Sequence, residues 1–541
     1  MLLFTHYLAN WRGILTSGVV VAAAVLGDEA LLDEYVPELS RCALAFQPDG
    51  SYGESLQYGN YLAFALMLGH ESLCRTYPEK AALLDVSAYG RGMRWVASSM
   101  FYQKPMGGSW GHEPRARAAN FNDSAAIYRP SGDVLLHLAA RSGRSRSESA
   151  EERGLARHLF EMYYANVPKQ GPHDLATFGM VNDWGFLTLP LLTHDTKEVS
   201  PAEAGLPLTH SFSNGHAFMR DAWDGRTIVA INGGGDALHG PGHLHGDLNS
   251  FILVHNRERL LVDPGHSCYR NLIHGLESST QTHNTCTFLR SGAVPVEQEA
   301  LGLQEDKAKA TVLEQRSVLP RRLLVNGIPG EAVSRGNRLL LAERNDVVSV
   351  VGAKVSASYA EPIQQFTRLW LLVGSHVLFV VDQIEATRPV TTIWNWLVNN
   401  RDGRANVQSA NNCLIVSRNE AGMKLFHCGS GLSGHPVYGY VHDAYHVEPN
   451  ARGEGQPGSG LLYRWTEKAP AQTRTIVHAI ALDEAHRLDA WQLISAENSH
   501  TLTNGTKQWT LETADNAFRL VSGHGRVWTV TNQNDKWKLQ R

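Results

Sequence analysis

Residues 240–288 read GPGHLHGDLNSFILVHNRERLLVDPGHSCYRNLIHGLESSTQTHNTCTF and carry four candidate metal-ligand side chains, His243, His245, Asp263 and His283. Two short apolar runs, SFILVHN and RLLVDPG, stand between them. Each is rich in β-forming residues and closed by a turn former. Paired as a β-hairpin, they bring the HxH end and the Asp end to one edge, and a loop then returns His283. Such a mixed N/O set suits a borderline divalent cation, zinc most simply, with manganese or calcium as alternatives. The chain has 25 histidines, so some close pairs arise by chance, and a bare HxH is more often a loop feature than a metal site. The Asp at a strand end and the His-Asn pair after a turn-rich loop add weight to the metal reading. Residues i and i+2 of an extended segment point the same way, so His243 and His245 can serve one cleft.

Outward from this stretch, 541 residues exceed what one simple core organises, so two or more domains are expected. A hydrophobic content of 43% with 19% charged residues is that of a globular chain. The formal net charge of -4 gives no overall basic field for nucleic acid, and an anionic substrate needs a local basic cleft. The six cysteines show no CxxC spacing and point to neither a disulfide framework nor a zinc knuckle. Thirteen Trp, with Tyr, offer flat apolar platforms on which sugar rings stack, although most read as core.

The N-terminal apolar run Gly18 to Gly27 lacks the basic leader of a signal peptide and runs on into helical pattern from Glu29 to Phe46, so it reads as a buried helix. No other stretch is apolar enough to span a membrane. Pro48-Asp49-Gly50 is a turn, and from Glu54 a helix places Tyr58, Tyr61, Ala65 and Leu68 on one face. A further helix is predicted over 82–100, and helical patterns return at 128–142 and 151–166. Between them, residues 106–124, MGGSWGHEPRARAANFNDS, are long and dense in hydrogen-bonding groups, the signature of a functional loop. From Phe212 the pattern changes to short β runs, among them HAFMRDAW, RTIVAIN, VVSVVGAKV, TRLWLLV, HVLFVVDQI and TTIWNWLVN, which predicts stacked antiparallel sheets. The division is a helical part over 1–200 and a β part over 201–541, with a smaller C-terminal β subdomain from about 400.

The segment GHLHGDLNSFILVHNRERLLVDPGHSCY with the later HNTCTF resembles the signature of the heparinase II/III-like polysaccharide lyases. Ala9-Asn10-Trp11 is similar to that family's Asn-Trp or Asn-His helix start, DGSYGESLQYGNY to its DG-x-x-x-E-S-x-x-Y element, and Asn120 to Ser124 (NFNDS) to its FGDS-type loop. The resemblance implies a multidomain α+β chain: an N-terminal α/α toroid followed by antiparallel β-sandwich domains, with the cleft between them. It implies β-elimination on a uronic-acid-containing polysaccharide, a glycosaminoglycan first among the candidates, and export to the periplasm or the exterior. β-Elimination needs a neutralised carboxylate, a base for the C5 proton and an acid for the leaving oxygen.

By resemblance, Asn10 neutralises the carboxylate, Tyr58 acts as acid and base, and His243 assists. His245, Asp263 and His283 hold the metal, which steadies the loops. Trp11 stands where the family often has His, leaving the second neutralising group open. Tyr61, His112, Arg115, Arg117, Asn122 and Tyr269 are expected substrate contacts; an Arg can hold a carboxylate or sulfate with two hydrogen bonds, and is as readily a solvated loop charge. About seven helices precede the β region where a toroid needs roughly ten to fourteen, so the toroid is expected to be incomplete. Two other classes are compatible with the residues: a carbohydrate-binding relative without turnover, and a metal-dependent glycan hydrolase.

Overall fold

The computed structural model describes residues 8–541 apart from 106–113, 142–147, 166–187, 193–194, 267–270, 291–311, 317–321, 443–457 and a few shorter gaps of one to three residues. Helices dominate up to residue 192 and strands from 209 onward.

Three helices open the described chain: α1 (Asn10–Leu26), α2 (Glu29–Cys42) and α3 (Leu56–Thr76). α1 ends at Gly27 in the left-handed region, a common helix stop. It is half-buried rather than enclosed: Val20 and Ala23 face the core while Val25 and Leu26 face solvent. α2 starts at Asp28, whose side chain accepts from the Leu31 amide. α3 starts at Ser55, which accepts from the Tyr58 amide. The predicted helix over 82–100 is instead two short helices, Ser87–Gly90 and Met93–Ser99. The break falls at Gly92, where a Cβ would lie 2.4 Å from the carbonyl oxygen of Gly50, so the chain must bend under the turn that precedes α3. Helices Gly132–Arg141 and Glu148–Phe160 match the later expectations, the second ending in a π turn over Glu161–Ala165. Of the 106–124 stretch, residues 106–113 lie outside the described residues, Pro114–Ala118 pairs antiparallel with Met100–Pro105, and residues 119–124 form a buried loop.

The β part is layered, and the side-chain period of two explains how. On strands His216–Arg220, Thr227–Asn232 and Ser250–His255, Phe218, Ile228, Ala230, Ile252 and Val254 pack on the helices. The alternate residues Ala217, Met219, Val229, Ile231, Phe251 and Leu253 face the opposite way, into a second core with Trp370, Trp394 and Trp396. Strands Ile363–Val373 and Val377–Val398 repeat the device one layer on. Trp370, Leu378 and Val380 point into that second core, while Leu369, Leu371, Phe379 and Val381 point into a third with Trp491, Leu502, Phe518 and Trp528. Strands covered on both faces read as continuous apolar runs, which is why these segments are so uniformly hydrophobic. The last layer is a six-stranded antiparallel meander built from residues 492–540, whereas strands between 405 and 484 still pair within the main sheet.

Val377–Val398 joins two runs that the sequence reads as separate strands. Its first half pairs with Ile363–Val373 and with Ala471–Glu484; its second half pairs with Cys286–Arg290 and Gly458–Glu467. Pro389 lies in the exposed crossing between the halves, where the register shifts and no ladder amide is needed. Between the sheets, Arg368 and Asp382 form a buried pair at 2.5 and 2.8 Å. Arg368 also donates to the carbonyls of Asn249 and Asn284, and Asp382 accepts from the Trp394 indole.

Candidate active site and metal centre

The site forms where the start of α3, the buried loop 120–124 and the segment 242–266 meet. The Ser55 hydroxyl that caps α3 also donates to the carbonyl of Asp123 at 3.0 Å. Asn122, at φ 59, donates its side-chain amide to the Glu54 carbonyl (2.7 Å) and accepts from the His245 backbone amide (2.9 Å). One asparagine thus locks helix, loop and HxH segment together, and it is buried. The expectation of Asn122 as a substrate contact meets a residue whose side-chain oxygen and nitrogen are both engaged within the protein.

Asp123 is the centre of the cluster. One carboxylate oxygen accepts from His243 Nδ1 at 3.1 Å and the other from His245 Nε2 at 2.8 Å. Burial alone would raise this carboxyl, but the His245 hydrogen bond and the neighbouring charges of His245, His266 and His243 outweigh it and bring it down to about 2. His243 sits at φ 46, so the extended-segment argument for the HxH pair does not apply; the two imidazoles reach opposite oxygens of one carboxylate instead. The His243 ring stacks on the Tyr58 ring at 4.3 Å between centroids and 12° between planes, and the imidazole remains about a quarter exposed (26%). Burial lowers the pKa of His243, against the pull of Asp123, which favours the neutral ring.

His245, Asp263 and His283 converge with ligand atoms within 4.8 Å of one another, all buried. The hairpin works as the sequence suggests: Ser250–His255 pairs antiparallel with Glu258–Leu261, so His245 and Asp263 leave it at the same end. His283 Nδ1 donates to the Ser279 carbonyl at 2.7 Å, leaving Nε2 as the acceptor, 3.6 Å from the Asp263 carboxylate. The other Asp263 oxygen accepts from the Gly265 amide. His245 hydrogen-bonds Asp123 through Nε2, and its Nδ1 is the ring atom on the other side. Two imidazole nitrogens and a carboxylate oxygen, two of them set by outer hydrogen bonds, fit a divalent cation of the zinc type. Asn284, next to His283, pins the site to the sheet by donating to the carbonyls of Phe251 and Val262 and accepting from the Leu397 amide.

Asn10, at the start of α1, is buried and donates its amide to the Glu54 carboxyl at 3.0 Å. Burial pushes the Glu54 carboxyl well above the usual carboxylate range, and the negative charge of Asp123 pushes it further; the Asn10 amide opposes them. Trp11 is exposed (59%) and Tyr61 half-buried. Arg117 is buried and donates to the Lys104 carbonyl. Arg115 lies on the strand Pro114–Ala118, with its side chain outside the described residues, as are His112 and Tyr269. The sequence reading passed over Asp123 and Glu54, although both lie in quoted elements. Asp123 is the lone acid of Asn120 to Ser124, and that contrast was the available signal.

Residues 213–453 match the model of the heparinase II/III-like C-terminal family. This part of the chain is thus similar to that family's C-terminal domain, in line with the motifs at residues 240–288. Among solved structures, the chain is similar to heparan sulfate lyase HepC from Pedobacter heparinus, with a TM-score of 0.57 and 14% identity, covering 94% of this chain and 67% of that one. It is similar also to heparinase III, with a TM-score of 0.58 and 10% identity, covering 96% and 67%. The chain thus spans about two thirds of the length of these neighbours, and the likeness is one of fold. No curated protein sequence matches it.

Proposed function

We propose that this chain is a polysaccharide lyase that cleaves a uronate-containing glycosaminoglycan by β-elimination. The observation that carries the reading is the Tyr58–His243 stack, with His243 held from behind by Asp123. His243 Nδ1 gives its proton to the carboxylate, so Nε2 keeps its lone pair and can take the C5 proton of the uronate. The electrons of the C5–H bond form the C4–C5 double bond as the C4–O bond breaks. Tyr58 supplies the proton that the leaving oxygen requires. Asn10, held by the Glu54 carboxyl, is assigned to the sugar carboxylate, and burial of Glu54, which favours its neutral form, supports that assignment. Trp11 and Tyr61 offer stacking surfaces for sugar rings.

The helical residues 1–200 form one wall of the cleft as part of an α/α toroid, and residues 201–541 the other as a β-sandwich domain with a smaller C-terminal sheet. His245, Asp263 and His283 would hold a zinc ion that would cross-link the loops rather than activate a water, since all three donors are buried. A chain of this class acts in the periplasm or outside the cell. The test is a panel of uronate polymers read by the ultraviolet absorbance of the unsaturated product. Turnover that yields unsaturated ends supports the lyase. Saturated ends that vanish with chelator support the hydrolase, and binding without product supports a carbohydrate-binding relative.

A further inference from the structure

We infer that Asp123, His266, His274 and Glu277 form a second divalent-cation site, beside the His245–Asp263–His283 set and distinct from it. The ligand atoms of Asp123, His266 and His274 lie within 4.8 Å of one another. His266 Nδ1 stands 3.6 Å from the Asp123 carboxylate and 3.3 Å from that of Glu277, and all three side chains are fully buried. Ligand atoms about 2.0–2.2 Å from a tetrahedral ion are separated by roughly 3.3–3.6 Å, so these spacings are close to the edges of a coordination sphere.

The backbone is shaped to make this meeting. Gly265 has φ 60, and a Cβ there would lie 2.3 Å from the Ser124 carbonyl, so only glycine lets the two segments approach this closely. The amide of His266 then donates to that same carbonyl at 3.1 Å, which sets its ring against Asp123. From the other side, the helix Asn271–Ser278 carries His274 and Glu277 three residues apart, hence on one face. The His274 ring stands 5.4 Å from His266 and 6.3 Å from His245, between centroids.

Charge supplies the second argument. Two carboxylates, Asp123 and Glu277, are fully buried beside the imidazoles of His245 and His266. Enclosed carboxylates need compensation by charge or metal, and a dication balances two of them at once. The donor set, two imidazoles and up to two carboxylates, selects zinc or another first-row divalent ion over magnesium. Asp123 would bridge the two centres, ligating one ion and orienting His245 on the other. The site lies behind His243, so the second ion anchors the carboxylate that holds that imidazole.

The proposal is independent of the lyase reading, because metal content is measured without turnover. The protein is stripped with chelator, equilibrated with zinc chloride and freed of excess metal, and zinc per chain is measured. Two equivalents are expected for the intact chain, falling to one in the His266→Gln/His274→Gln double variant and to one in His283→Gln. Cobalt substitution gives a second readout: each variant should lose one of two sets of visible absorption bands while far-ultraviolet circular dichroism stays unchanged. One equivalent in the intact chain, or two that persist in the His266→Gln/His274→Gln variant, overturns the proposal.

Discussion

His243 and His245 are two residues apart, touch the same carboxylate and yet stand in opposite environments. His245 is enclosed with Asp263 and His283, its protonation set by the hydrogen bond to Asp123. His243 is partly open and lies flat on Tyr58. The closed side gathers two imidazoles and a carboxylate away from solvent, and the open side leaves one imidazole within its reach. Proximity in sequence therefore says little about environment here, and Asp123 couples the two.

The comparison can be broken by substitution. Tyr58→Phe removes only a hydroxyl from the open side, so kcat/KM for any polymer the protein turns over should fall by about 10²–10⁴-fold with the melting temperature unchanged. A comparable loss of stability would mean that Tyr58 belongs to the packing instead. Arg368→Ala lies away from both sides and should cost about 3–5 kcal/mol in urea denaturation, because it strands the buried Asp382 carboxylate. Asp123→Asn should act on both sides at once, lowering activity and metal affinity by about 10–100-fold each; an effect on one alone would separate them. Chelator should lower the melting temperature of the intact chain by the equivalent of about 3 kcal/mol at metal a hundredfold above its Kd, and have a smaller effect in His283→Gln.

The smallest effect concerns a histidine pair remote from both. His427 Nδ1 meets His478 Nε2 at 3.1 Å beneath Trp394 and Trp465. Burial brings His427 down to about 4 and His478 well below its ordinary value. The unfolded chain binds protons at these positions below about pH 6.5 while the folded chain does not, so stability is full above that pH and falls as pH drops towards 4. The slope contributed by His427 is at most about 1.4 kcal/mol per pH unit. Denaturation midpoints across pH 4–7 should show it, and His427→Asn should flatten it.

Much of this was legible in sequence because it follows local rules. The hairpin carrying His245 and Asp263 is written in two β-rich runs with turn residues at their ends. The start of α3 is written in Ser55, and the uniformly apolar runs mark strands covered on both faces. What was not legible depends on distant encounters. Asp123, Glu54 and His243 meet only when three separated segments fold together. The helix expected over 82–100 breaks because Gly92 must pass beneath Gly50. The polar stretch around Arg388 and Pro389 looks like a turn in isolation, yet it is the exposed part of one strand in transit between sheets.

That strand, Val377–Val398, acts as a keel. Because its two halves belong to different sets of pairings, neither can be pulled away without disturbing the other. The β layers it serves should open as one cooperative unit, and its amides should exchange with solvent hydrogen at a common, slow rate set by global unfolding. The His243–Asp123 pair and the His245–Asp263–His283 set are fastened to this unit through Asn284 and Cys286–Arg290. The geometry of the cluster is thereby insured by the most persistent part of the molecule.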